Sequence, residues 1–474
     1  MKKLGISKGL RYFYGVGDLL YSFSVMFKVY YWTYFLTTVV GLPLGATGLM
    51  NTAINTFDLV MGFFWGAMID KFKVGKWGKY SSVMIICAPL IAITHVFQWF
   101  GPTLYAFGSS VSVAVIVGFI AFALYIVFFN LAWLANRTIP TFTCANEEER
   151  SVLIGTQTIW NGVGSLTIAY VAAWMLTWFK NPVIGYATSA SIMGLLTIPG
   201  YFFHCWLIKD YEWTPKELIE RGIDPNTQKG GSNRVTALST LQVLFTNGQL
   251  LITTLINIFT GLAGNIFSYM GVYLFEMTLN AASLYAFYLT ITNFAGIVGA
   301  FLSNILTKKI ANKTLVQLSF GVAAVCLVIC KMAVNALNAG LFTGLMILVR
   351  FAISLGAPSL ATFYTNCAIY EEYRTGVDKT ASVMGCPNIS IKVSILAIGI
   401  IVPAVLASTG YVAGAEVTEA TKIALANWYT LVTAAVYALA FVVVTFGYKL
   451  DRKTVDKYLK ENQERRAKEE AAKA

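Results

Sequence analysis

Residues 209–240, KDYEWTPKELIERGIDPNTQKGGSNRVTALST, are the one sizeable polar interruption in a chain otherwise made of successive apolar runs. Read outward from it, six runs precede it: residues 12–40, 44–69, 81–100, 109–136, 152–179 and 183–207. Six follow: residues 241–274, 281–306, 315–334, 341–368, 382–407 and 424–448. Most exceed the ~20 residues that cross a hydrocarbon core, so tilt or extension beyond the bilayer is expected. The composition agrees. Of 474 residues, 57% are hydrophobic and 12% charged, where a soluble domain carries roughly 25% charged residues. Half that charge cannot coat a soluble surface of this size, so the chain must face lipid. Residues 1–11 are basic, but the stretch after them is long, aromatic and free of a small-residue cleavage site. It reads as a first span and not as a signal peptide.

The loops alternate in charge. One set carries Lys71, Lys73, Lys76 and Lys79; then Arg150; then Lys216, Arg221, Lys229 and Arg234; then Lys308, Lys309 and Lys313; then Arg374 and Lys379. The opposite set, residues 41–43, 101–108 and 335–340, is short and nearly free of Lys and Arg, with Lys180 and Lys422 as its exceptions. The positive-inside rule places both termini and the segment 209–240 in the cytoplasm. The net charge of +12 is therefore orientation signal and not a nucleic-acid patch. Seven scattered cysteines without a CxxC pair, and only His95 and His204, predict no disulfide framework, no metal site and no cofactor. Neither histidine has a partner at a recognisable spacing, which argues against an intramembrane enzyme. A non-transporting sensor needs a signalling domain that the short middle segment and tail do not provide.

Six spans, a cytoplasmic linker and six more spans are the major facilitator layout. The expected organisation is an all-α membrane protein of twelve helices. Residues 1–208 form one half, 209–240 the linker, 241–448 the other half and 449–474 a cytoplasmic tail, located in the cytoplasmic (cell inner) membrane and monomeric by default. The charged, helix-prone tail predicts a solvated helix or a disordered end. After the second run comes GAMIDKFKVGKWGKY, residues 66–80. Gly66 permits close helix approach, and Asp70 with Lys71 and Lys76 can form a gate latch. The alternative is ordinary snorkelling cations beside a packing glycine. The matching stretch of the second half, residues 299–313, keeps Gly299, Lys308 and Lys309 but has Asn304 where an acid would sit.

Ionisable groups inside spans are costly and become functional candidates by default. Asp58, Arg350 and Lys392 fall near the midplane at a rise of ~1.5 Å per residue, Lys28 somewhat outward and Asp18 toward the cytoplasmic third. Lys331, Glu276 and Arg137 lie near span ends, where snorkelling explains them. Asp58 is the one midplane acid and the candidate coupling site; a structural ion pair with Lys28 or Lys392 is the competing role. Lys28, Lys392 and Arg350 can hold an anionic substrate, or Arg350 can serve as a hydrogen-bonding hub. Three cations against one acid favour a bound anion. Of the many aromatics, Tyr31 and Trp133 are the better candidates for stacking on a sugar, although belts and core packing explain most such rings.

Four segments, taken together, resemble the glycoside–pentoside–hexuronide:cation symporter family, whose best-known member is melibiose permease. They are Tyr14-Gly15-Val16-Gly17-Asp18; Asp58 with the Lys76–Tyr80 run; Pro140-Thr141 with Glu149-Arg150; and Glu372-Tyr373, Gly376, Ser382 and Lys392. The resemblance covers nearly the whole chain and implies a major facilitator fold, sugar or glycoside transport and cation coupling. It also implies that Lys392 is the family's span-eleven lysine near the cation and sugar sites. Where sodium-coupled members carry a second span-two acid this chain has Gly62, and where they carry a span-four acid it has Ala132, with Asn130 and Asn136 nearby. The sugar-binding acid of span one corresponds to Ser22. One carboxylate does not supply sodium's oxygen set, so a proton is expected in preference to sodium. The expected function is secondary active transport of a sugar or glycoside, with uronides or sulfonated sugars favoured. Uniport or exchange, and transport of a lipid-like amphiphile, are the alternatives.

Overall fold

The computed structural model describes residues 5–62, 64–65, 68–69, 72–144, 147–220, 237–307, 309–377, 379–412 and 416–471. Gly66, Asp70 and Lys71 of the latch, and Arg221, Lys229, Arg234 and Lys308 of the basic loops, lie outside the described residues. The chain divides into two compact units. One comprises 1–231 with 402–416, the other 232–401 with 417–474. Among the described residues the secondary structure is helical throughout, with no β-sheet.

The first unit contains α1 (Lys8–Phe13), α2 (Val16–Tyr34), α3 (Leu44–Met61), α4 (Lys79–Ala106), α5 (Val111–Thr143), α6 (Glu147–Leu176), α7 (Pro182–Leu195), α8 (Thr197–Ile208) and the short α9 (Pro215–Glu220). Local chemistry sets the starts. The Ser110 hydroxyl accepts the Val113 N–H, and Asn181 accepts those of Val183 and Ile184 beside Pro182 at the first helical position. Before α9 the Thr214 N–H and hydroxyl both donate to the Glu217 carboxylate. Within the unit α4 packs along α5, and α2 lies against α6 and α8. The approach is close where glycines meet. A Cβ on Gly17 would stand 2.5 Å from the Gly200 carbonyl oxygen of α8, so only glycine fits this crossing.

The second unit contains α10 (Ala237–Thr246), α11 (Gly248–Tyr273), α12 (Ala282–Leu306), α13 (Asn312–Asn335), α14 (Ala339–Thr375), α15 (Thr380–Val383), α16 (Cys386–Ser408, whose last turns fall in the first unit), α17 (Glu419–Asn427), α18 (Thr433–Gly447) and α19 (Arg452–Ala471). Asn247 caps α11 through the N–H groups of Gln249 and Leu250. Proline interrupts α4, α5, α14 and α16, as membrane helices tolerate when neighbours satisfy the freed carbonyls.

The two units share a local signature. The first transverse helix of each ends in a π-helical turn, Phe35–Val39 after α2 and Leu274–Thr278 after α11. Val40 N–H donates to Phe35 and Leu42 N–H to Leu36; Leu279 N–H donates to Leu274 and Ala281 N–H to Phe275. Both patterns coincide at one sequence offset, which sets α2 and α11 in register as copies of one element.

Among the described residues, ten helical stretches are long and apolar enough to cross a bilayer. The first two expected spans are not among them. Asp18, Lys28 and the polar-edged rings of Tyr21, Tyr30, Tyr31 and Tyr34 dilute the hydropathy of α2, and Asn51, Asn55 and Asp58 that of α3. The tail differs from the expectation of a solvated or disordered end. α19 docks on the end of α14. Tyr458 stacks on Tyr373 at 4.1 Å. Asn462 donates to the Ile369 carbonyl at 3.0 Å, and Arg465 to the Glu372 and Tyr373 carbonyls at 3.4 and 3.2 Å. The Glu372 and Tyr373 carbonyls belong to the last turn of α14, where a cation is favoured by the helix end.

Candidate functional site

In the first unit the polar side chains gather on α2, α3, α5 and α8. Asp58, near the end of α3, accepts a hydrogen bond from Asn130 Nδ2 at 3.2 Å. Asn130 is held in turn by the Ile126 carbonyl of its own helix at 2.9 Å. Both side chains are half-buried. A neutral amide donor can bond either the ionised or the protonated carboxyl, so the pair does not commit Asp58 to one charge state. The Lys28 ammonium lies over Phe122 and Tyr125, 5.1 and 5.2 Å from the ring centres. Ring faces are the cheapest apolar surface on which to rest a cation inside a bilayer.

The remaining predicted residues of this unit sit differently. Tyr31 is buried among Phe27 and Tyr186. Ser22 bonds the Leu19 carbonyl and presses against Gly164. Trp133 is half-buried and carries the Arg137 guanidinium over its ring at 5.3 Å. Lys76 is exposed in the turn between Gly75 and Gly78, beside Trp77.

The sequence reading did not find a second cluster beside these. Asp18 and His204 are both fully buried. His204 Nε2 lies 3.3 Å from Asp18 Oδ2 and also contacts the Tyr14 carbonyl. Asn136 Nδ2 donates to Asp18 Oδ1 at 3.3 Å, and the Tyr14 hydroxyl donates to Asn136. Asp18 belongs to the Tyr14–Asp18 motif, which was the only available signal.

The motif loops of the first half converge at its basic end. Glu212, 6% exposed, accepts the N–H groups of Tyr80 and Ser81 at 2.8 Å each, capping the otherwise uncapped start of α4. Gly78, with φ of +105°, leaves room for it. Burial pushes the Glu212 carboxyl up, and the donors from Ser81 and Tyr80 oppose that. The Tyr211 hydroxyl and Glu149 tie down residues 5–7.

In the second unit Arg350 donates to Asn293 Oδ1 at 3.2 Å, and Lys392 is half-buried on α16. A cavity of about 530 Å³ opens along α11, α14 and the start of α16. Its polar lining is neutral and, besides Thr362, consists of Asn257, Thr260, Tyr364 and Thr365. Asn257 Nδ2 donates to the Tyr364 hydroxyl at 3.1 Å, and Ser390 lies 3.2 Å from the same hydroxyl. None of these four lining residues carries a charge, which is why a search for intramembrane ions passed over them. Their donors and acceptors suit hydroxyl-rich ligands, and the volume lies in the range of small-molecule sites. The one fully buried acid of this unit among the described residues, Glu371, stands at the basic end between Arg374 (2.9 Å) and Lys379 (3.2 Å), with Asn247 at 3.1 Å.

These features agree with what the chain resembles. Residues 13–452 match the family described as MFS/sugar transport protein, and the chain belongs to that family. It is 25% identical over 455 residues to an uncharacterized symporter of Bacillus subtilis (strain 168), YjmB, across 95% of this chain and 93% of that one. It is 22% identical over 446 residues to a putative sulfoquinovose importer of Salmonella typhimurium, across 92% and 89%. In fold it matches the nucleoside transporter NupG (TM-score 0.65, 13% identity, 93% of this chain and 100% of that one). It also matches a D-xylose-proton symporter (TM-score 0.64, 14% identity, 93% and 98%). The protein is thus a multi-pass membrane transporter of the major facilitator class for small molecules, not an enzyme.

Proposed function

We propose that the protein is a proton-coupled importer of an acidic sugar, a uronate or a sulfonated sugar, working by alternating access. The observation that carries the reading is the distribution of charge. Asp58 rests on a neutral amide donor, while the intramembrane cations Lys28, Arg350 and Lys392 outnumber it. A substrate anion would balance those cations, and the neutral cavity lining of Asn257, Thr260 and Tyr364 would recognise its hydroxyls. The Salmonella relative described as a putative sulfoquinovose importer supports a sulfonated sugar. Proton loading at Asp58 would alter its attraction to neighbouring cations and so shift the balance between conformations. Sodium is disfavoured because Gly62 and Ala132 provide no further carboxylates.

The same reading takes the protein as a monomer of twelve spans with both termini cytoplasmic. The segment that includes Gly66, Asp70, Lys71 and Lys76 serves as the cytoplasmic gate. The test is a proteoliposome uptake panel of neutral sugars, uronates and sulfonated sugars under imposed proton or sodium gradients. Accumulation of an acidic sugar driven by a proton gradient is expected. Equal handling of neutral and acidic analogues would overturn the anion assignment, and uptake indifferent to both gradients would make the protein a uniporter.

A further inference from the structure

We propose that Asp18 and His204 form an exchangeable proton-binding site inside the first unit, separate from Asp58. The argument begins with burial. Both side chains are fully buried, yet Asp18 makes no ion pair with a lysine or arginine among the described residues. Its one ionic partner is the imidazole at 3.3 Å. Glu371 in the other unit shows the contrast, since two permanently charged side chains compensate it. The charge of the Asp18 site is set instead by an imidazole, which exists in neutral and protonated forms.

The hydrogen-bond pattern says where the proton goes. His204 Nε2 faces the Asp18 carboxylate and the Tyr14 carbonyl, both acceptors, so Nε2 carries a hydrogen. His204 Nδ1 is buried without a hydrogen-bond partner. Asp18 Oδ2 is likewise buried without a hydrogen-bond donor, so a proton added to the pair goes to Nδ1 or to Oδ2. With it, the pair has zero net charge. Without it, a net negative charge is left in a sealed, low-dielectric place, where it is costly.

The charged and titratable groups around the pair are few. Tyr14 ends α1, Tyr21 lies on α2, Arg137 on α5, Cys144 just beyond α5, and Tyr201 on α8 with Cys87 behind it. Arg137 acts on both Tyr14 and Tyr21, but its guanidinium is bonded to Gln157 at 3.4 Å and stacked on Trp133. It is the cation available to replace a departing proton. The pair also sits on the tightest contact between α2 and α8, since a Cβ on Gly17 would meet the His204 ring at 2.8 Å. A change of charge there acts directly on that helix crossing.

The chain has two histidines, so ring-¹⁵N-histidine labelling of the full-length protein in lipid nanodiscs gives two sets of signals, assigned with His95→Gln. The ring-nitrogen signals of His204 are expected to change as the sample is taken from about pH 5 to 9. Asp18→Asn, whose amide keeps the size and an acceptor, is expected to move that midpoint by about one pH unit or more, leaving His95 unchanged. Asn136→Ser, which removes a donor to Asp18 but neither titrating group, is the second variant and is expected to give a smaller shift. A His204 signal that stays constant over that range overturns the proposal. So does a midpoint unmoved by either substitution. The measurement needs no substrate and does not rest on the role of Asp58. Asp58→Asn is expected to leave the His204 titration in place, and its loss in that variant would overturn the separateness of the two sites.

Discussion

The two halves begin with the same helix and use it differently. The shared π turns put α2 and α11 in register, with Phe35 aligned to Leu274 and Leu36 to Phe275. The same offset aligns Asp18 with Asn257 and Lys28 with Phe267. In the first half that helix carries an acid and a cation; in the second it carries an amide and a ring. Their partners follow suit. Asp18 meets Asn136 on α5 and His204 on α8, whereas Asn257 meets the Tyr364 hydroxyl on α14. Phe267 packs on Tyr429, 5.3 Å between ring centres. One copy of the element carries a buried acid beside a histidine, the other a neutral wall beside a cavity. The difference suggests a division of labour: ion handling in the first half and hydroxyl recognition in the second.

The largest expected effect removes the charge change from the first half. Asp58→Asn should reduce proton-driven accumulation about tenfold or more, because the carboxyl that links loading to conformation is gone. Substrate exchange at equal pH should persist, since the amide still bonds Asn130. Uptake into proteoliposomes with and without a pH gradient separates the two. Unchanged pH-driven accumulation in the variant would remove Asp58 from coupling and with it the ion-handling role assigned to this half.

The next effect probes the acid that the second half does keep. Glu371→Ala leaves Arg374, Lys379 and the Asn247 amide without their common acceptor. Removing one member of a buried charge cluster costs several kcal/mol, but both cations are about a third exposed and can turn to water. A loss of about 2–3 kcal/mol is expected, seen as an earlier melting transition by tryptophan fluorescence. Glu371→Gln should recover part of it, because the amide oxygen still accepts. Equal melting of all three proteins would show that the cluster is ornamental.

Asn257→Asp tests the comparison directly by giving the second half an acid at the position of Asp18. No histidine or cation accompanies it in the contacts of Asn257, only Tyr364. The Tyr364 hydroxyl can donate to the new carboxylate, and the site borders a cavity, so the expected cost is about 1–2 kcal/mol when ionised. Binding of a sulfonated sugar, followed by thermal stabilisation, should weaken at neutral pH and recover on acidification. Affinity independent of pH would place hydroxyl recognition elsewhere.

How much of this was legible beforehand varied with distance along the chain. The helical membrane class followed from composition and loop charge, which are sums over many residues and tolerate local error. Asp58 stood out because a lone acid in an apolar run is visible by itself, and Asn130 because it lies near Ala132, where members of the resembled family carry a span-four acid. The Asp18–His204 contact joins residues 186 apart and exists only because Gly17 and Gly200 let α2 and α8 touch. No spacing rule reaches that far. The cavity was missed because its polar residues are neutral and common in any helix. The docking of α19 was hidden by its charge. Tyr458, Asn462 and Arg465 fall at positions i, i+4 and i+7, one face of a helix, but the surrounding lysines and glutamates read as solvated.

The smallest effect concerns how the end of the first half is held. Glu212 caps α4 with backbone N–H groups as its partners, whereas Glu371 holds side-chain cations. Glu212→Gln keeps one acceptor oxygen and puts an NH₂ group where the other accepted, at an expected cost of about 1 kcal/mol. The pH dependence gives the sharper reading. Burial holds the Glu212 carboxyl above its ordinary value, so the protonated form is the one favoured by folding. That contribution is fully present below the unfolded value near ~4.3 and is lost as pH rises through the higher folded value. The glutamine has no such dependence. Melting temperatures of the two proteins should therefore differ most in acid and converge as the pH rises. A gap that widens with pH would mean that the two N–H donors outweigh burial. Glu212 would then serve α4 as a permanent anion, a fixed charge like Glu371 in the other half.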